Sequence, residues 1–195
     1  DIVLTNEHVI HGQASAMLAL AGELEGKGRD GDALAYFRDE HACRNALLVE
    51  QPNGDFADTI VRQFLFDAYS VLLLDTLKGC AHEALAALAA KSLKEDTYHL
   101  RHSSQWVLRL GDGTPGSHAR AQRALDDLWR LTGELFERDA VDDAAAAHGI
   151  RVDQASLQSR WREIVTDVVA RATLQLPPDQ PMASGGRRGR HSEHV

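Results

Sequence analysis

Apolar residues recur at three- and four-residue spacing through five long segments of the chain, while strict alternation over a strand length is hard to find. That period puts the apolar side chains on one face of a helix, so the pattern predicts an all-α fold. A first helix is expected over about residues 1–26, with its apolar side running through Ile2, Val3, Val9, Ile10, Met17, Leu20 and Leu24 and its stop at Gly26, Gly28 and Gly31. A short helix follows near 31–42, and residues 45–54, ending in Gln51-Pro52-Asn53-Gly54, read as an ordered crossover loop. Asp55 or Asp58 caps the next helix, whose stripe is Phe56, Ile60, Phe64, Asp67 and Val71 and whose left-handed stop is assigned to Gly79.

A long Ala- and Leu-rich helix is predicted from Ala81 to Leu110, with Leu85, Leu88, Ser92, Asp96, His99, Ser103 and Trp106 on one face. Ser117 is read as the cap of a fourth long helix to about Arg138, and a short helix over Ala140–His148 is ended by Gly149. Asp153 starts the last long helix, striped by Leu157, Trp161, Ile164, Val165, Val168 and Leu174. After Leu176 the prolines 177, 178 and 181 give way to Gly185-Gly186-Arg187-Arg188-Gly189-Arg190. The expected organisation is therefore a helical bundle over 1–176 and an arm over 177–195 that docks on the bundle or a partner, or stays mobile.

Composition narrows the function. Apolar residues make up 44% and charged residues 26% of the 195, which is ordinary for a globular chain. A formal charge of −8 disfavours nucleic acid as the main partner, since phosphate binding needs a basic face. Cys43 and Cys80 are too few for a disulfide framework and have no metal-spaced neighbours, so a reducing cytoplasm is expected. No run approaches the roughly 18 apolar residues of a membrane span. The chain opens at Asp1 directly in helical periodicity, which leads us to expect further residues before it.

Long helices with inward polar residues raise the question of a ferritin-like di-iron centre, which takes a carboxylate from two helices and a Glu-x-x-His pair from the other two. No Glu here is followed three residues later by His, and the one Asp that is so followed is Asp96, ahead of His99. Asp67, Asp96 and His99 thus offer at most half a site. On the first helix the polar residues sharing the apolar side are Asn6 and Gln13, neutral amides that substitute poorly for carboxylate and imidazole. Such buried groups are more often an internal hydrogen-bond network than a metal site, and we expect no metal ligands or catalytic residues here. The arm's Arg187, Arg188, Arg190 and His191 are candidates for anion or interface contacts, because arginines offer forked donors and glycines let backbone amides approach.

Three segments carry a resemblance: Leu47-Leu48-Val49-Glu50-Gln51-Pro52-Asn53-Gly54-Asp55-Phe56-Ala57-Asp58-Thr59-Ile60, Lys94-Glu95-x-x-Tyr98-His99-Leu100-Arg101, and Gly185-Gly186-Arg187-x-Gly189-x-His191-Ser192-Glu193-His194. With Gly12-Gln13-Ala14 they resemble the PaaC family, the C subunits of ring-1,2-phenylacetyl-CoA epoxidases, over nearly the whole chain. The resemblance implies a ferritin-like, non-catalytic structural subunit, without a cofactor of its own, in a multicomponent monooxygenase of aerobic phenylacetate catabolism. It implies as partners a catalytic A subunit that holds the di-iron centre, a small B subunit and a flavin and iron–sulfur reductase, with room for a homodimer inside the hetero-oligomer. It also implies family helices before Asp1 and after Val195. The Asp96 position is not reliably acidic in that family, so Asp96 and His99 are assigned, with Asn6, Gln13 and Asp67, to a buried polar network. The helices near Asp55–Leu110 and the Gly185–His194 arm are the expected interface. Two other readings stand beside this one: an independent metal-dependent oxygenase built on Asp67, Asp96 and His99, and an arm whose arginines reach the nucleotide end of coenzyme A.

Overall fold

The computed structural model describes residues 2–37, 39–178 and 180–194, with side chains described from Gly12 onward except Glu40. Eight α-helices and no strand occur among the described residues, as the three- and four-residue period predicts: α1 (Ile2–Glu25), α2 (Gly31–Tyr36), α3 (Leu47–Glu50), α4 (Phe56–Leu77), α5 (Glu83–Gly111), α6 (Pro115–Trp129), α7 (Ala140–Ala147) and α8 (Gln154–Arg171). Helices α4 and α5 form the central pair. Both pack against α6 and α8, whereas α1 packs against α5 and α2.

The helix starts are chemically explicit. The Asp55 carboxylate accepts the amides of Ala57 and Asp58 at 2.7 and 3.2 Å, while Asp58 accepts the Asp55 amide at 2.9 Å, a reciprocal box that fixes the start of α4. Arg123 of α6 donates to Asp58 at 2.8 Å and to Asp55 at 3.3 Å, tying that cap to the neighbouring helix. Trp161 of α8 buries its ring between Trp129 and Phe136 and donates its indole N–H to the Leu65 carbonyl of α4 at 2.9 Å. The apolar core runs from there through Phe64, Leu65, Val107, Leu125 and Val165, all essentially inaccessible to solvent. Gly111 lets the end of α5 approach the chain after α8, because a Cβ there would lie 2.1 Å from the Ala172 carbonyl oxygen.

Several sequence expectations are corrected. Gly79 is not left-handed; α4 ends in right-handed Lys78, whose amide bonds back to Leu74 at 2.9 Å. The segment near 31–42 is not one helix but α2 followed by a 3₁₀ turn at Glu40–Ala42. The 45–54 crossover contains the single turn α3. The fourth long helix starts earlier and stops sooner than its sequence suggests. Thr114 rather than Ser117 is the cap, accepting the Ser117 amide at 3.2 Å ahead of Pro115, and α6 stops at Trp129 instead of reaching Arg138. Beyond it Gly133–Phe136 tightens into a 3₁₀ turn that buries Glu134, Leu135 and Phe136 together. Leu24 and Phe56 do not enter the core: Leu24 is 65% exposed at the end of α1, and Phe56 is 51% exposed with its ring edge-on to Trp106 at 5.0 Å.

Candidate functional site

Two polar assemblies are built into the bundle. The first lies where α4, α5 and α1 meet. Asp67, one turn from Gln63 on α4, accepts the Gln63 amide at 2.6 Å on one oxygen and the Ser103 hydroxyl of α5 at 2.7 Å on the other. Asp96 accepts the Gln13 amide of α1 at 3.0 Å on Oδ1 and the Ser70 hydroxyl of α4 on Oδ2. The same Gln13 nitrogen donates to Glu95 at 2.8 Å, so one side chain fastens α1 to α5. His99 is buried beside them with Nδ1 3.9 Å from Asp96 Oδ1, beyond hydrogen-bond reach.

Of the sequence-derived set, Gln13, Asp67 and Asp96 enter these hydrogen bonds, His99 is buried beside Asp96 with only its carbonyl engaged by Ser103, and Asn6 lies outside the described side chains. Gln63, Ser70, Ser103 and Glu95 complete the network. Their signal was present, since Gln63 and Ser70 stand four before and three after Asp67 on its own helical face. Both carboxylates are held by neutral donors, and burial pushes Asp67 up to about 7, with the Ser103 and Gln63 hydrogen bonds opposing that rise and the nearby Asp96 charge adding to it. When Asp67 carries its proton it can donate to Ser103 Oγ, which then donates onward to the His99 carbonyl at 3.0 Å.

A di-iron centre does not fit these groups. It takes about four carboxylates and two imidazoles. Among the described residues no three His, Cys, Asp or Glu side chains converge as a ligand set. The cleft of about 520 Å³ between α4, α5 and α7 is lined by Leu77, Leu85, Arg138, Ala145 and Ile150, and it includes none of Asp67, Asp96 and His99.

The second assembly anchors the C-terminal arm and was not legible in the sequence. Glu134, wholly buried, accepts three backbone amides: Leu47 at 2.8 Å on one oxygen, Gly185 at 2.7 Å and Arg187 at 3.1 Å on the other. Glu50, at the end of α3, accepts Nδ1–H of His191 at 2.6 Å and the Ser192 amide at 2.9 Å. Burial alone would raise the Glu50 carboxyl, but the Ser192 amide and His191 outweigh it and hold the group below its ordinary value. Gly186 crosses so close that a Cβ would stand 2.2 Å from the Asn45 carbonyl oxygen. Arg187 turns inward as well, pairing with Asp139 and Asp142 at 3.0 Å each and donating to the Glu137 carbonyl. Of the four arm residues singled out from sequence, Arg187 and His191 are turned onto the protein itself, Arg188 is exposed yet donates to Ser184 Oγ at 2.7 Å and stands 3.8 Å from Glu137, and Arg190 is exposed.

Comparison with known proteins gives two findings. The family model described as phenylacetic acid catabolic protein matches residues 1–195. The chain is 45% identical over 196 residues to the C subunit of the 1,2-phenylacetyl-CoA epoxidase of Escherichia coli (strain K12), an alignment that covers 100% of this chain and 79% of that protein.

Proposed function

Because the chain belongs to the phenylacetic acid catabolic protein family, we propose that it is the structural, non-catalytic subunit of a ring-1,2-phenylacetyl-CoA epoxidase, working in the cytoplasm without a metal or cofactor of its own. On this reading it holds a catalytic di-iron subunit in place, and the small subunit and the reductase act through the assembled complex. The observation that carries the reading is the state of the central carboxylates: the oxygens of Asp67 and Asp96 are engaged by amides and hydroxyls of Gln63, Ser103, Gln13 and Ser70, an arrangement that stabilises helix packing and leaves them poorly placed as ligands. No described helix is long and apolar enough to cross a membrane, which agrees with a component that meets its partners through side-chain surfaces.

The test is co-production with the companion subunits encoded by the same source, followed by size-exclusion chromatography. The chain is expected to co-elute with the catalytic subunit in a complex that turns over phenylacetyl-CoA, and a complex rebuilt without this chain is expected to lose both assembly and turnover. Full turnover by the companions in its absence would contradict the proposal.

A further inference from the structure

Helix α7 is held to the bundle by its ends and not by its face. Its first turn is fixed by a reciprocal box, with the Asp139 amide on Asp142 at 2.9 Å and the Val141 amide on Asp139 at 2.8 Å, and Arg187 of the arm reaches both carboxylates at 3.0 Å. Just past its other end the Gly149 carbonyl accepts the Ala81 amide at 3.4 Å, in the turn between α4 and α5. No residue of α7 itself is buried. Between the two fixings Ala145 and Ala146 line the cleft of about 520 Å³ together with Leu77 of α4, Leu85 of α5, Ile150 and Val152. All of these apolar side chains are half-buried, so the cleft keeps apolar surface open. Because both ends of α7 are held, the cleft exists before any ligand arrives.

Arg138, Asp142 and Arg151 are the charged side chains of the lining. Two of them are matched, since Arg138 donates to Asp143 at 2.6 Å and Asp142 is held by Arg187 at 3.0 Å. Arg151 is exposed and makes no ion pair among the described residues, so one forked cation is left over beside an apolar cavity. Mostly apolar walls around a few polar groups, at this volume, are the make-up of a small-molecule site, and a guanidinium pairs a carboxylate through two parallel N–H···O bonds. We propose that the cleft under α7 binds a small aryl or alkyl monocarboxylate, its apolar body between Leu77, Leu85 and Ile150 and its carboxylate on Arg151. A coenzyme A ester is a poor occupant: its acid is masked as a thioester, and its several phosphate charges meet a single unmatched arginine beside Asp142. The site stands apart from the subunit reading. Phenylacetate, the free acid in the description of the family, belongs to the proposed class and serves as the probe.

The experiment titrates the whole chain with phenylacetate and follows its methyl signals by nuclear magnetic resonance. Saturable shifts are expected at Leu85, Ala145 and Ile150. Arg151→Gln is expected to weaken binding by about 10-fold with an unchanged circular dichroism spectrum, whereas Arg171→Gln on α8 leaves it within about twofold. Phenethyl alcohol, the same ring without the charge, is expected to bind about 10-fold more weakly than the acid. Ala146→Leu fills the cleft and is expected to abolish the shifts. The absence of saturable shifts at millimolar phenylacetate overturns the proposal, as does equal binding of acid and alcohol or undiminished binding by the Arg151→Gln chain. Binding that survives Ala146→Leu places the ligand outside the cleft and overturns it as well. The isolated chain is titrated without companions, so none of these outcomes bears on the subunit reading.

Discussion

Glu134→Ala is expected to lower stability by on the order of 3–6 kcal/mol and to release residues 183–194 from the bundle. The magnitude follows from what the side chain holds: its two oxygens accept the amides of Leu47, Gly185 and Arg187, and each buried amide left without an acceptor costs about 1–3 kcal/mol. The vacated volume adds to that cost, because Glu134 is wholly buried. Glu134→Gln should fall between, since one of its two ends would present an amide N–H to other N–H groups. Chemical denaturation measures the loss, and hydrogen exchange at Gly185 and Arg187 reports release of the arm directly. Native exchange protection at those amides in the alanine variant would show that the anchor lies elsewhere.

The second large effect is a pH dependence centred on Asp67. Its carboxyl is pushed up to about 7 by burial, against 3.8 in the unfolded chain. Between those values the folded state holds more protons than the unfolded one, so stability is highest in the acidic part of this window and declines as pH rises through it. The steepest slope is about 1.4 kcal/mol per pH unit, which over the window amounts to on the order of 3–4 kcal/mol. Glu50 and Asp142 act oppositely and lower down: both are held below their ordinary values, so they add stability that is lost as pH falls below about 4. Asp67→Asn keeps the shape of the protonated acid, with its amide donating to Ser103 Oγ and its oxygen accepting from Gln63. It should flatten the decline and make the variant the more stable protein at pH 8. Urea midpoints at half-unit pH steps decide this, and parallel curves for the two proteins would refute it.

The bundle and its inner polar residues were readable because a helix repeats. Asp67 sits at a core position of the Ile60–Phe64 stripe, and Asp96, His99 and Ser103 follow one face of α5, so their convergence needed only the 3.6-residue period. Gln13 could be placed on the inner side of α1 for the same reason. What resisted were contacts between distant segments. The partners of Glu134 lie 87 residues before it and 51 and 53 residues after it, and two of the three belong to an arm without any period. Helix ends were misjudged where a locally good signal lost to tertiary burial: the stretch after Trp129 has helical spacing, yet it bends because Glu134 must meet Leu47 and the arm. Phe56 has a core position in its stripe, but as the first residue of α4 it stays 51% exposed and packs edge-on against Trp106.

Both assemblies use buried carboxylates to fix helices and arm, and the function proposed above leaves oxygen chemistry to a partner. The most direct measurement is the iron content of this chain purified from cells grown with excess iron. The account predicts iron far below stoichiometric levels in the chain by itself and iron that follows the catalytic subunit in the complex. A stoichiometric iron pair bound by the isolated chain, lost together with Asp67 or Asp96, would contradict it.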